Sequence, residues 1–177
     1  MDLVNISVIL SAIIIIVVLW FIVAARHLKG KLFLIKEQWE FSDAGLRKRQ
    51  NLIPNVIETL KIYDKTQEEF IAILIKDRLK AAKEIEFGTK KIECEHILSH
   101  HINKIFGISG TNNNLASDTN FLELKKEIKD LNHNIDEKVI KFNNMVRDYN
   151  KDLKLFYLKP IAFLKRHKKI NIFEFEL

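Results

Sequence analysis

Leu3 to Ala25 (LVNISVILSAIIIIVVLWFIVAA) contains no charged residue, and nothing else in this chain restricts its fold so strongly. At 1.5 Å rise per residue the run makes a helix of about 34 Å, enough to cross a hydrocarbon core of roughly 30 Å. A buried helix of a water-soluble domain would show a polar face, and this run has none. Val23, Ala24 and Ala25 also resemble a signal-cleavage site, which keeps a removable leader as the alternative. Met1 and Asp2 carry no positive side chain, however, and the run is longer than a typical signal core, so a retained anchor is expected. Arg26, Lys29, Lys31 and Lys36 follow the run, while Asp2 is the only charged side chain ahead of it. The positive-inside rule then places the N-terminus outside and the rest of the chain in the cytoplasm.

The remaining residues read as helical. Gly and Pro number only 5 and 2, and SGTNNNLASDTN (109–120) is the one obvious loop. Alternation of the strand kind is confined to the terminal INIFEFEL. One soluble helix is expected over 32–63, running straight out of the apolar span and kinked near Pro54, with Ile53, Val56, Leu60 and Tyr63 on one face. A second is expected over 66–87, its apolar side formed by Phe70, Ile71, Leu74, Ile75, Leu79 and Ala82. A third covers 90–107, unless 66–107 is one continuous helix. The last begins at Phe121, capped by Ser117 or Asp118. Its apolar seam runs through Leu124, Ile128, Leu131, Ile135, Val139, Phe142, Val146, Tyr149, Leu153 and Phe156, and Pro160 ends it. A helix of that length predicts an elongated body. The organisation is therefore an anchor (1–30), an all-α helical domain (31–160) and a basic tail (161–177).

Little in the chain points to chemistry. His96 and His100 are four apart, with Glu93 one turn earlier, but Ile97 occupies the glutamate position of the H-E-x-x-H zinc motif. A solvated helix face is the plainer account, and a metal-binding or hydrolytic centre at His96 and His100 is the alternative function. No phosphate-binding glycine loop and no activated nucleophile appear, so no enzymatic activity and no cofactor are expected. Cys94 stands alone and cannot form an internal disulfide, in keeping with a reducing compartment. The cluster KRHKK (165–169) suits anionic lipid better than nucleic acid in a chain that carries an anchor.

LRKRQNLIPNVIETLKIY (46–63) resembles the signature of the LemA family, a basic stretch leading into L-I-P-N and an apolar helix. FLELKKEIKDLNHNIDEKVIKFNNMVRDYNKDLKLF (121–156) resembles that family's last helix. Arg49, Leu52, Ile53, Pro54 and Asn55 match the first motif. Asn134, Ile135, Phe142, Asn143, Val146, Tyr149 and Asn150 match the second, and Trp39 stands where the family often has a tryptophan. Lys138 and Phe142 depart from an arginine and a tyrosine, and GTNNNLA replaces a Y-P-D-L stretch. The resemblance implies an N-terminal transmembrane helix followed by an antiparallel up-and-down four-helix bundle, or a three-helix version if 66–107 is continuous. It also implies a bacterial inner-membrane protein, and the anchor, the long seam and the lack of catalytic groups point to a non-catalytic scaffold whose partners are membrane lipid, through the anchor, and an unidentified protein. In such a bundle Asn134, or its neighbour Asn132, is expected opposite Pro54, where it would satisfy the Gln50 carbonyl that the proline leaves free. Asn143 and Asn150 are expected to reach a neighbouring helix and set its register. The chain would return to the bilayer at Pro160, with Ile161, Phe163 and Leu164 at the interface and Lys165, Arg166, Lys168 and Lys169 on anionic headgroups.

Overall fold

The computed structural model describes residues 3–174, and among them every regular element is helical. The first helix, α1, runs unbroken over Leu3–Tyr63, so the apolar run and the first soluble helix are one element. A single 3-10 turn, Lys65–Gln67, follows, and then α2 (Glu68–Lys83) and α3 (Thr89–Thr111). Residues 84–88 separate these two helices, which removes the reading of 66–107 as one helix. The short α4 (Asn113–Ala116), the long α5 (Thr119–Asp152) and the short α6 (Lys159–Leu164) complete the order. Residues 170–174 form no strand, while Asp2 and residues 175–177 lie outside the described residues.

Two compact units make up the chain. The first comprises Met1–Glu37 with Asn144–Ile170, and the second Gln38–Asn143 with Asn171–Leu177.

The second unit holds the larger core. Ile53, Val56, Ile57 and Leu60 of α1 join Phe70, Ile71, Leu74 and Ala81 of α2, Leu98, Ile102 and Ile105 of α3, Leu115 of α4, and Phe121 and Ile128 of α5. Within α1, α2, α3 and α5 these residues stand three, four or seven apart, the spacings that line up one face of an α-helix. The inward face of α2 differs from the expected one. Ile75, Leu79 and Ala82 are exposed, and the polar Asp77 takes the buried position between Leu74 and Ala81. Hydrophobicity alone ranks Leu79 above Asp77. Asp77 is buried because it has partners, Lys80 at 3.0 Å and His101 of α3 at 3.4 Å. Close approach of α1 and α5 depends on Gly45, where an added Cβ would lie 2.8 Å from Cγ1 of Ile135. Ile135 is β-branched and has little freedom to move aside.

The seam of α5 is buried or half-buried from Phe121 through Tyr149, but α5 stops at Asp152, before the expected Phe156, which is 84% exposed. Apolar spacing reports which face is inward and not where the helix ends. In the first unit the Asp152 carboxylate is held by Lys31 Nζ at 2.6 Å and His27 Nε2 at 2.7 Å. Beyond it the chain turns through i→i−3 bonds, such as Lys154 N–H to Lys151 C=O and Leu155 N–H to Asp152 C=O. Pro160 does not terminate a helix. It sits in the first turn of α6, where its missing N–H costs nothing. Among the described residues of this unit, Ala24, Leu28, Ile35, Val146, Tyr149, Leu158, Ile161 and Ala162 are the buried apolar ones.

Of the two candidate caps of α5, Asp118 is the one used. Its Oδ1 accepts from the Phe121 N–H at 2.6 Å and its Oδ2 from the Tyr63 hydroxyl at 2.7 Å, whereas Ser117 donates to carbonyls of its own turn. These two bonds, the Phe121 amide first, hold the Asp118 carboxyl below its ordinary value, and the same contact raises the Tyr63 phenol. A depressed carboxylate contributes stability that is full above its unfolded pKa of about 3.9 and is lost as pH falls through the folded value. Wild type should therefore melt above Asp118→Asn at neutral pH, and the gap should close on acidification below about pH 4 when both are followed by circular dichroism.

Candidate functional site: a buried charge network and a clasped C-terminal segment

Within the second unit, α1 and α3 bring ionised side chains into the interior, and α5 adds a neutral amide. Lys91, Glu95 and Ser99 recur every four residues on α3 and so share one stripe. Opposite them α1 supplies Asp43, Arg49 and Gln50, and α5 supplies Asn132. Arg49, Lys91 and Glu95 are at most 1% exposed. Arg49 Nη2 meets Glu95 Oε2 at 2.9 Å, while its Nη1 donates to Ser99 Oγ at 2.9 Å and to Asn132 Oδ1 at 3.3 Å. Lys91 Nζ lies 3.0 Å from Asp43 Oδ1 and 3.1 Å from Glu95 Oε1, and it also donates to the Ala81 carbonyl at 3.1 Å. Gln50 Nε2 donates to Glu95 Oε1 at 2.5 Å, and Arg47 Nε reaches Asp43 Oδ2 at 2.6 Å. Charges thus alternate along Arg47, Asp43, Lys91, Glu95 and Arg49. Burial pulls the Arg49 guanidinium below its ordinary value, and Glu95 acts against that shift. Nearby Asp136 is raised, chiefly by burial, with His133 and Arg49 opposing.

The carbonyl released by Pro54 has a different partner from the expected one. Gln50 C=O accepts from Nε of Arg78 on α2 at 2.8 Å. Asn134 is exposed and donates to the Asp130 carbonyl of its own helix, and Asn132 serves Arg49. Helix α1 continues through Pro54. The proline therefore converts an intrahelical acceptor into an attachment point for a second helix. Gln50 joins both features, its side chain in the network and its carbonyl on α2.

Asn143 and Asn150, each one step off the seam, do not take the expected partners on a neighbouring helix. Each holds one residue of the C-terminal segment by its backbone. In the second unit, Asn143 Nδ2 donates to the Phe173 carbonyl at 2.9 Å and its Oδ1 accepts from the Phe173 N–H at 2.7 Å. In the first, Asn150 does the same with Ile170, at 2.8 and 3.0 Å. A primary amide presents one donor and one acceptor side by side, matching the N–H and C=O of a single residue. Trp39 packs against Phe87 (4.8 Å between centroids), Phe142 (5.5 Å) and Phe173 (5.6 Å).

The other sequence-selected residues take ordinary places. Ile53, Ile135 and Val146 are buried, Leu52 and Pro54 half-buried, and Asn55 exposed. Lys165, Arg166, Lys168 and Lys169 are exposed in the first unit. His96 and His100 are also exposed, and among the described residues no group of three or more His, Cys, Asp and Glu is placed to hold a metal ion, so the metal alternative has no support. Asp43, Arg78, Lys91, Glu95, Ser99 and the side chain of Gln50 carry the interior chemistry although sequence reasoning did not select them. The four-residue step from Lys91 to Ser99 was the available signal, and it is also the signature of a solvated salt-bridged face.

A family model, that of the LemA family, matches residues 38–177. The chain belongs to the LemA family. Comparison with curated proteins gives no match. The matched region starts one residue before Trp39 and leaves the apolar run outside. It gives the LemA signature a physical content: Arg49 closes the buried network, Pro54 frees the Gln50 carbonyl, and Asn143 and Asn150 hold the C-terminal segment. Arg49→Met should destabilise by about 3–5 kcal/mol in urea unfolding, because it leaves Glu95 buried with Lys91 as its only cation. Arg78→Ala should cost about 1.5–3 kcal/mol, the value of a charge-assisted bond. The cost should be markedly less in a Pro54→Ala background, where the backbone N–H restored at that position can serve the Gln50 carbonyl. Equal costs in the two backgrounds would show that the Gln50 carbonyl is not what Arg78 stabilises.

Proposed function

We propose that this LemA family protein is a single-pass, membrane-anchored, non-catalytic scaffold that presents its helical body to a protein partner at the bacterial inner membrane. One observation carries this reading. The side chains of residues 5–20 are exposed on every side of α1, in the one described helix long and apolar enough to cross a membrane. A helix apolar all round is stable only within protein or lipid. The cations that follow it, from Arg26 to Lys36, favour an outside N-terminus and a cytoplasmic helical body.

The interior of the second unit supports a scaffold over an enzyme. Its buried ionised groups Asp43, Arg49, Lys91 and Glu95 pair with one another and are closed off from solvent. An up-and-down arrangement is supported by pairs of opposite sense on α1 and α5, Tyr63 with Asp118 at one end and Gln38 with Lys138 at the other.

The protein should resist alkaline carbonate extraction from membranes, and its helical body should survive protease in intact spheroplasts but be digested after lysis. Release by carbonate would overturn the anchor, and digestion in intact spheroplasts would reverse the orientation. Crosslinking in native membranes should then recover a discrete partner.

A further inference from the structure

We propose that the basic cavity beside α6 binds the anionic headgroup of a phospholipid. This rests on the reading of Leu3–Ala25 as a membrane span. The cavity, of about 300 Å³, is lined by Ala25, Arg26, Lys29, Lys165 and His167, four basic side chains and no acidic one. That volume lies at the small end of ligand pockets and suits a compact polar group. Its position selects the ligand. Arg26 is the first charged residue after the apolar run, and Lys165 Nζ lies 5.9 Å above the ring centroid of Phe21, inside that run. These cations therefore stand where acyl chains give way to headgroups, a depth open to lipid phosphate and closed to a nucleic-acid duplex.

The cavity wall from α6 is built by defined contacts. Helix α6 ends in a reversal in which the Lys165, Arg166 and His167 amides donate to the Ile161, Phe163 and Ala162 carbonyls at 2.9, 3.1 and 2.8 Å. Arg166 takes φ 54°, the left-handed region where glycine is favoured, and so turns the chain at the centre of the basic cluster. His167 Nδ1 is held 2.8 Å from the Tyr149 hydroxyl. Ile161 and Ala162 face inward, whereas Phe163 and Leu164 are 83% and 64% exposed, and Phe156 in the preceding turn is 84% exposed. Those apolar side chains lie among lipid when the cavity holds a headgroup. Basic pockets beside membrane helices bind anionic headgroups by this combination of charge and depth.

The test uses the full chain in a neutral maltoside detergent, with melting temperature followed as lipid is added. Dioctanoyl phosphatidylglycerol should raise it in a saturable way, since a ligand of the native state stabilises in proportion to its occupancy. Dioctanoyl phosphatidylcholine should not. Lys29→Gln/Lys165→Gln should weaken the phosphatidylglycerol response at least tenfold, and Arg26→Gln provides a second variant should the first fail to fold. Equal shifts with phosphatidylcholine, or an undiminished response in the folded variants, would overturn the site. A shift of the same size with inorganic phosphate at equal concentration would overturn its assignment to lipid. Flotation with phosphatidylcholine vesicles reads the anchor separately. Wild type and variants should both float, and failure of both to float would remove the anchor reading whatever the titration gives.

Discussion

Arg49 is the side chain on which the second unit most depends. A guanidinium withdrawn from water loses a large hydration energy, and only close opposite charge with full hydrogen bonding offsets that loss. Glu95, Ser99 and Asn132 supply these partners from two other helices. Glu95 in turn needs Lys91, and Lys91 needs Asp43. Because each charge is satisfied by the next, α1, α3 and α5 are held to one register. Apolar packing alone tolerates sliding by a turn, since one three- or four-residue stripe resembles the next. A shifted network would leave ions unpaired at low dielectric, and that penalty is what makes the register unique.

The same logic operates with neutral groups. Pro54 creates an acceptor that its own helix cannot satisfy, and Arg78 of α2 completes it. Asn143 and Asn150 complete the N–H and C=O of Phe173 and Ile170 in a segment that forms no regular element and cannot satisfy them itself. In each case an unmet hydrogen-bonding group, costly if buried, becomes the specification of a tertiary contact. The motif residues of this family therefore act as connectors between elements.

The first unit is organised around a different feature. Its apolar run has no protein around it, and the residues that close the unit, Asp152 with Lys31 and His27, lie just beyond the run. Burial raises the Asp152 carboxyl, and the bonds from Lys31 and His27 outweigh that and hold it below its ordinary value. This ion pair marks the point at which α5 stops, although the apolar spacing beyond it would have allowed another turn.

Helical class, the apolar run and the inward face of α5 were legible in the chain, because periodicity and charge exclusion are local properties, whereas the break between α2 and α3 was left open by a weak turn signal. The resemblance to the LemA family was legible for a related reason, its motifs being short and contiguous. What the chain could not reveal was which groups meet. Nothing in the spacing of Ile75 and Leu79 distinguishes them from Leu74 and Ala81, and nothing near Asp77 shows that His101 will face it. The partner of the carbonyl that Pro54 frees looked like an asparagine on the last helix and is an arginine 28 residues along the chain. Lys91, Glu95 and Ser99 stand on a polar helix with no mark of burial in the sequence, and they line the interior because Arg49 and Asp43 arrive from another helix. Burial of a charge depends on where its counter-charge sits in space, and only the tertiary structure decides that.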